Sequence, residues 1–211
     1  MLKIEFNEKY QLFFLKKALN EIIKEKNINK NFIKNIKEDH ENGCNYINNV
    51  KIPVTFPICL KNFISELNKD KKLKYNYKGT ISPTKRWVLK YKSIPNSIIE
   101  ESRRGRSNKK YEIDINYYQN MCNSYFTLCP TEWGDKKSSW TYRFFEAIMS
   151  LSIPILQNNS NDIHMKNYFF YYDSDDHVYS KEKAEKNYNI FINSKHFLNN
   201  IELFTKIKNK K

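Results

Sequence analysis

Ser124-Tyr125-Phe126-Thr127-Leu128-Cys129-Pro130, then a polar loop, then Ser139-Trp140-Thr141-Tyr142-Arg143-Phe144-Phe145-Glu146-Ala147 is the stretch whose reading decides the fold. Ser124 to Leu128 is rich in aromatic and β-branched residues and stops at a proline, which predicts a strand. Ser138 to Ser150 carries Phe144, Phe145, Ile148 and Met149 at helical spacing, which predicts a helix with those side chains inward. Tyr117 to Cys122 reads as a helix before the strand, and Leu151 to Leu156, around Pro154, as a strand after it. Upstream, Lys74-Tyr75-Asn76-Tyr77-Lys78 reads as a strand ending at Gly79, with a helix starting in Thr84 to Tyr91. Downstream, Tyr168 to Tyr172 is a strand before Asp173-Ser174-Asp175-Asp176. Strands alternating with helices predict parallel β-α-β units, and so an α/β fold with an open, doubly wound, mostly parallel, Rossmann-like sheet.

Away from this centre the pattern is less regular. Leu12, Leu15, Leu19 and Ile22 recur at steps of three and four among Lys16, Lys17, Glu21 and Lys24, the stripe of an amphipathic helix. Residues 27–49 are polar and Asn-rich and read as a weak helix or irregular connection. Val50 to Phe56 suggests a short strand broken by Pro53 and closed by Pro57, followed by a helix carrying Phe63, Ile64 and Leu67. A last helix is expected over Asn193 to Phe204, before a Lys-rich end. No fixed repeat or low-complexity linker divides the chain, so the expected organisation is a helical segment over 1–49 and a Rossmann-like domain with carboxyl-terminal helices over 50–211.

Composition bounds the function classes. The chain has 211 residues, 40% of them hydrophobic and 15% aromatic, which is enough for a core despite a mean hydropathy of -0.77. Four glycines and six prolines argue against Gly-rich or propeller architectures. No apolar run approaches the roughly 20 residues needed to span a bilayer. Thirty-seven basic against 23 acidic residues leave a net charge of +14. Such a surface attracts an anion: nucleic acid, a phosphorylated small molecule or an acidic membrane; the abundance of Lys, Asn and Ile along the whole chain offers biased base composition as the competing explanation. Cys44, Cys59, Cys122 and Cys129 lack zinc-site spacing and read as free thiols. The first residues are not a secretory signal, so the expected location is cytoplasmic, with at most peripheral attachment to a membrane.

In an open α/β sheet, the loop leaving the carboxyl end of a strand lines the ligand crevice, and the helix it feeds points its amino terminus there. Ser138, Ser139 and Thr141 place capping hydroxyls beside unpaired backbone N–H groups, chemistry suited to a phosphate. Arg143 and Glu146, three apart, share a helix face. The guanidinium fits a diphosphate and the carboxylate fits the vicinal hydroxyls of a ribose, as in a nucleotide sugar. The competing reading of the spacing is an ordinary ion pair between the two.

These residues resemble a known family. Ser124, Phe126, Leu128 and Pro130, then Arg143, Glu146 and Ala147, then Ile153, Pro154 and Ile155 look like the carboxyl-terminal half of exostosin-like glycosyltransferases. Tyr77-Lys78-Gly79-Thr80 with Lys85-Arg86 is similar to that family's strand end and following arginine, and the likeness runs from about Val50 to Met165. The resemblance implies one half of a GT-B-type glycosyltransferase, moving a sugar from a nucleotide-sugar donor to a glycan or lipid-linked acceptor, with no cofactor beyond that donor. Glu146 would hold the ribose, Arg143 and Arg86 the phosphates, and Gly79 would let the backbone approach the donor. The catalytic group is not assigned. The family's glycine five residues after the glutamate is Leu151 here, so a differently built turn and a later helix end are expected. With about fifty residues ahead of the match, the acceptor half is reduced, or supplied by another chain or a second copy, or absent from a protein that only binds donor.

Weaker signals point elsewhere. Asp173-Ser174-Asp175 could hold a divalent ion, as in a metal-dependent GT-A-type transferase, although an acidic strand-end turn is the simpler reading. Arg103-Arg104-Gly105-Arg106-Ser107-Asn108-Lys109-Lys110 could grip RNA, but reads as a solvated loop near the donor crevice, and a nucleic-acid-binding module is the disfavoured alternative. His40, His164, His177 and His196 form no ligand set. Phe197, Ile201 and Phe204 with Lys206, Lys208, Lys210 and Lys211 suit either packing or weak attachment to an anionic membrane surface.

Overall fold

The computed structural model describes residues 13–27, 29, 31, 33–39, 43–103, 105–106, 113–131, 141–158, 165–194 and 196. They form two compact units, one over Ile64–Phe191 and the other over the described residues of 13–63 and 192–196. The division falls inside a helix, α2 (Ile58–Glu66).

In the second of these units, helix α1 (Phe13–Glu25) is followed by an antiparallel sheet of β1 (Ile36–Asp39), β2 (Cys44–Ile47) and β3 (Val50–Pro53). Leu15, Ala18, Leu19 and Ile22 of α1 share a buried core with Ile47, Val50 and Ile52, so the helical stripe is the packing face. Asn48 and Asn49 lie between β2 and β3 with φ of 48° and 64°. Two successive left-handed residues make the tight turn whose twist matches an antiparallel pair. The Asn-rich connection therefore contains two strands of this sheet, β1 and β2, and residue 49 lies in the β2–β3 hairpin. Glu21 caps α2, accepting from the N–H groups of Ile58 at 2.9 Å and Cys59 at 3.1 Å.

The other unit is a mixed α/β layer structure on a five-stranded, wholly parallel sheet, a Rossmann-like open fold flanked by helices. Its strands are β4 (Leu73–Gly79), β5 (Ile98–Glu101), β6 (Ser124–Leu128), β7 (Ile153–Leu156) and β8 (Tyr171–Tyr172). They lie in the order β5-β4-β6-β7-β8, so the winding reverses between β4 and β6. Between strands run a 3-10 helix (Pro83–Tyr91), α3 (Ile115–Cys122) and α4 (Tyr142–Met149), and α5 (Lys181–Ile192) follows β8. Tyr75, Tyr77, Phe126, Leu128, Ile153 and Ile155 pack with Val88 and Tyr91 of the 3-10 helix and Ala184 of α5. A buried polar ladder ties β4 and β6 to the residue that leads into β7: Asn76 Nδ2 donates to Thr127 Oγ1 at 2.8 Å, which lies 2.8 Å from Ser152 Oγ.

Several elements differ from the sequence reading. The helix after β6 opens at Tyr142, because Thr141 is extended and caps it, its hydroxyl accepting from the Arg143 N–H at 3.4 Å. That helix ends at Met149, not later. Leu151 has φ of 55°, Leu151 N donates to Ile148 O at 3.1 Å and Ser152 N to Ala147 O at 3.0 Å. This is the closure a glycine normally makes at a helix end, so the turn before Ile153 has the geometry expected of a glycine there. β5 and α5 had no counterpart in the sequence reading. Of the expected helix Asn193 to Phe204, residues 195 and 197–204 lie outside the described residues.

Candidate functional site

The winding of the sheet reverses between β4 and β6, and in open α/β sheets the carboxyl ends of the strands at such a point are where ligands bind. Gly79 ends β4, and α4 begins with Thr141 at its cap after the connection from β6. Ser138 and Ser139 lie in that connection, outside the described residues.

Arg143, in the first turn of α4, is half-buried at the end of β4. Its Nη2 donates to the Lys78 carbonyl at 2.8 Å and its Nε to the Tyr117 hydroxyl at 3.3 Å. The guanidinium also lies over the Tyr77 ring, 4.5 Å from its centroid. Two of its N–H groups are used in this way, and among the described residues no carboxylate lies within ion-pair distance. Gly79 makes room for it. A Cβ there would stand 2.7 Å from Arg143 Nη2 and 2.9 Å from the Tyr77 hydroxyl, so the space over Gly79 belongs to Arg143.

Glu146 is wholly buried. Arg106 grips it from the β5–α3 connection, Nε to Oε1 at 3.0 Å and Nη2 to Oε2 at 3.1 Å. Tyr117 donates to Oε2 at 2.8 Å and Tyr118 to Oε1 at 3.0 Å. Burial, reinforced by the carboxylate, raises the pKa of both phenols, which keeps them protonated as donors. Arg143 and Glu146 are thus brought together without forming an ion pair: the Tyr117 hydroxyl stands between them. Lys78 is neutralised separately by Asp114 at 2.8 Å and Glu100 at 3.2 Å.

Arg86, on the 3-10 helix, is exposed. The Asp173-Ser174-Asp175 carboxylates are engaged in the turn after β8. Asp173 meets Lys90 at 2.7 Å and the Tyr91 hydroxyl at 2.8 Å, and Asp175 accepts from the Tyr172 N–H at 2.6 Å. Among the described residues no group of three or more His, Cys, Asp or Glu side chains could hold a metal ion. Both ring nitrogens of His177 are occupied, by Tyr75 and the Tyr172 carbonyl, and His196 meets the Val54 carbonyl. His40, His164 and the lysines of the carboxyl end lie outside the described residues. No described helix is long and apolar enough to cross a membrane.

Sequence reasoning missed Arg106, Tyr117 and Tyr118 as parts of this cluster. Arg106 sits in a basic run that resembles a solvated loop, and nothing in its spacing marks it as the buried partner of Glu146. The pattern around Tyr117 and Tyr118 marks them only as helix residues. No family model matches the sequence, and no curated protein matches it at a significant level.

Proposed function

We propose that this chain is the donor-binding part of an exostosin-like glycosyltransferase, which transfers a sugar from a nucleotide-sugar donor to a glycan or lipid-linked acceptor. The observation that carries the reading is the Arg143 guanidinium, without a carboxylate partner among the described residues, at the reversal point of a parallel sheet and in the first turn of α4. A phosphate meets there a cation with N–H groups to spare and the amino end of a helix. In transfer, an acceptor hydroxyl attacks the anomeric carbon, the bond from that carbon to the diphosphate oxygen breaks, and the hydroxyl proton passes to a base. Arg143 stabilises the charge on the departing diphosphate, with Arg86 as a second contact.

Calorimetric titration of the folded protein with nucleoside diphosphates and their sugars tests this. At least one is expected to bind, with binding lost in Arg143→Ala. No binding by any of them refutes the reading.

A further inference from the structure

Glu146 is the residue whose position departs furthest from its expected role. A ribose would need its oxygens, yet each already accepts two hydrogen bonds, one from Arg106 and one from a tyrosine. Four donors fill the four lone-pair sites of a carboxylate. We infer that Glu146, with Arg106 and Tyr117, is a positioning residue that fixes the Arg143 guanidinium for an anionic ligand, and does not itself touch the ligand. This rests on the reading of the carboxyl ends of β4 and β6 as a phosphate site.

The physical link is the polarity of one hydroxyl. A phenol has a single proton, and the Glu146 charge draws that of Tyr117 onto Oε2. The lone pairs of Tyr117 are then left to accept from Arg143 Nε. Together with the Lys78 carbonyl and the Tyr77 ring face, that contact fixes the guanidinium at three points. A buried carboxylate is tolerable only when paired and hydrogen-bonded, and Arg106 supplies the countercharge. Arg106 is itself anchored through its carbonyl, which accepts from the Asp114 N–H at 3.0 Å. A guanidinium held before the ligand arrives loses less freedom on binding.

Titrations with pyrophosphate and with uridine, guanosine and adenosine diphosphates distinguish the two roles of Glu146. As a positioning residue, Glu146→Gln weakens pyrophosphate and the bound nucleoside diphosphate by the same factor, about three- to tenfold. As a ribose ligand, it would weaken the nucleoside diphosphate alone, and that result overturns the inference. Tyr117→Phe keeps the ring and the Arg106–Glu146 pair, so the protein folds, and it is expected to weaken both ligands similarly; unchanged affinities overturn the relay. A ligand-free readout separates this inference from the phosphate reading. Exchange of the Arg143 Nε–H with solvent, followed by nitrogen-15 NMR, is expected to be slow in the native protein and fast in Tyr117→Phe. If native protein binds none of the probes, the phosphate reading fails; equal exchange rates in the two proteins overturn the relay whether or not ligand binds.

Discussion

Gly79 and Leu151 show how one side chain, or its lack, sets the end of an element. Gly79 is not in the left-handed region; what requires glycine is the Arg143 guanidinium and the Tyr77 hydroxyl, 2.7 and 2.9 Å from where a Cβ would stand. Both are tips of side chains, so a methyl group moves them and leaves β4 in place. Gly79→Ala is expected to cost about 1 kcal/mol or less of unfolding free energy and to weaken pyrophosphate binding several-fold. Calorimetry showing unchanged affinity would mean that the guanidinium does not face the ligand. Leu151 presents the reverse case, a side chain in a conformation that costs an L-residue about 1–2 kcal/mol. Leu151→Gly relieves that strain, and the flexibility of glycine in the unfolded chain returns part of the gain. A net stabilisation of about 0.5–1 kcal/mol is expected, seen as a higher urea midpoint with an unchanged slope.

The β2–β3 hairpin turns on two asparagines with distinct tasks. Asn48 Oδ1 accepts from the N–H groups of Lys34 at 2.9 Å and Asn35 at 3.2 Å, which secures the entry to β1. Asn49 contributes its left-handed backbone, and Asn-Gly is the strongest pair for such a turn. Asn49→Gly is therefore expected to raise thermal stability slightly and Asn49→Val to lower it by about 1–2 kcal/mol, read from thermal unfolding. The same residues explain why this sheet was illegible in the sequence: asparagines that serve as left-handed turn residues look like loop composition. The parallel sheet was legible where strands stop at Gly79 and Pro130, and α4 where its aromatic stripe is dense. β5 is four residues beside a Pro-Asn turn, and α5 buries only Ala184, Asn187 and Phe191, too thin a stripe to stand out. Arg143 and Gly79 could be picked out at the site because a strand end and a helix start are marked locally. The Arg106–Glu146 pair joins residues forty apart, and only the fold brings them together.

At the scale of the whole molecule, buried titratable groups set opposing slopes of stability against pH. Lys71 Nζ is half-buried between two helix ends, donating to the carbonyls of Cys122 at 2.7 Å and Ser150 at 3.0 Å. Burial lowers its pKa to about 7, against an unfolded value of about 10.4. Between those two pH values the unfolded chain holds the extra proton, so this lysine makes stability rise with pH, at most about 1.4 kcal/mol per pH unit. The thiols act in the other direction. Burial pushes Cys59 up to about 12 and raises Cys122 and Cys129 as well. Above the unfolded thiol pKa of about 8.5 the folded protein holds more protons than the unfolded chain, and stability falls. Tyr75, Tyr91, Tyr117, Tyr118 and Tyr179, all raised chiefly by burial, add to the fall above about pH 10. Of these groups the lysine alone acts from neutrality to the thiol range, above which the thiols oppose it, so together they turn the rise into a fall near the unfolded thiol pKa of about 8.5. Lys71→Met removes the rising limb and leaves the fall. Urea unfolding of both proteins under reducing conditions from pH 6 to 10 measures this: the stability of native protein relative to Lys71→Met should grow from pH 7 upward, and a difference that is flat across that range would show that the Lys71 ammonium stays charged in its place between the helix ends.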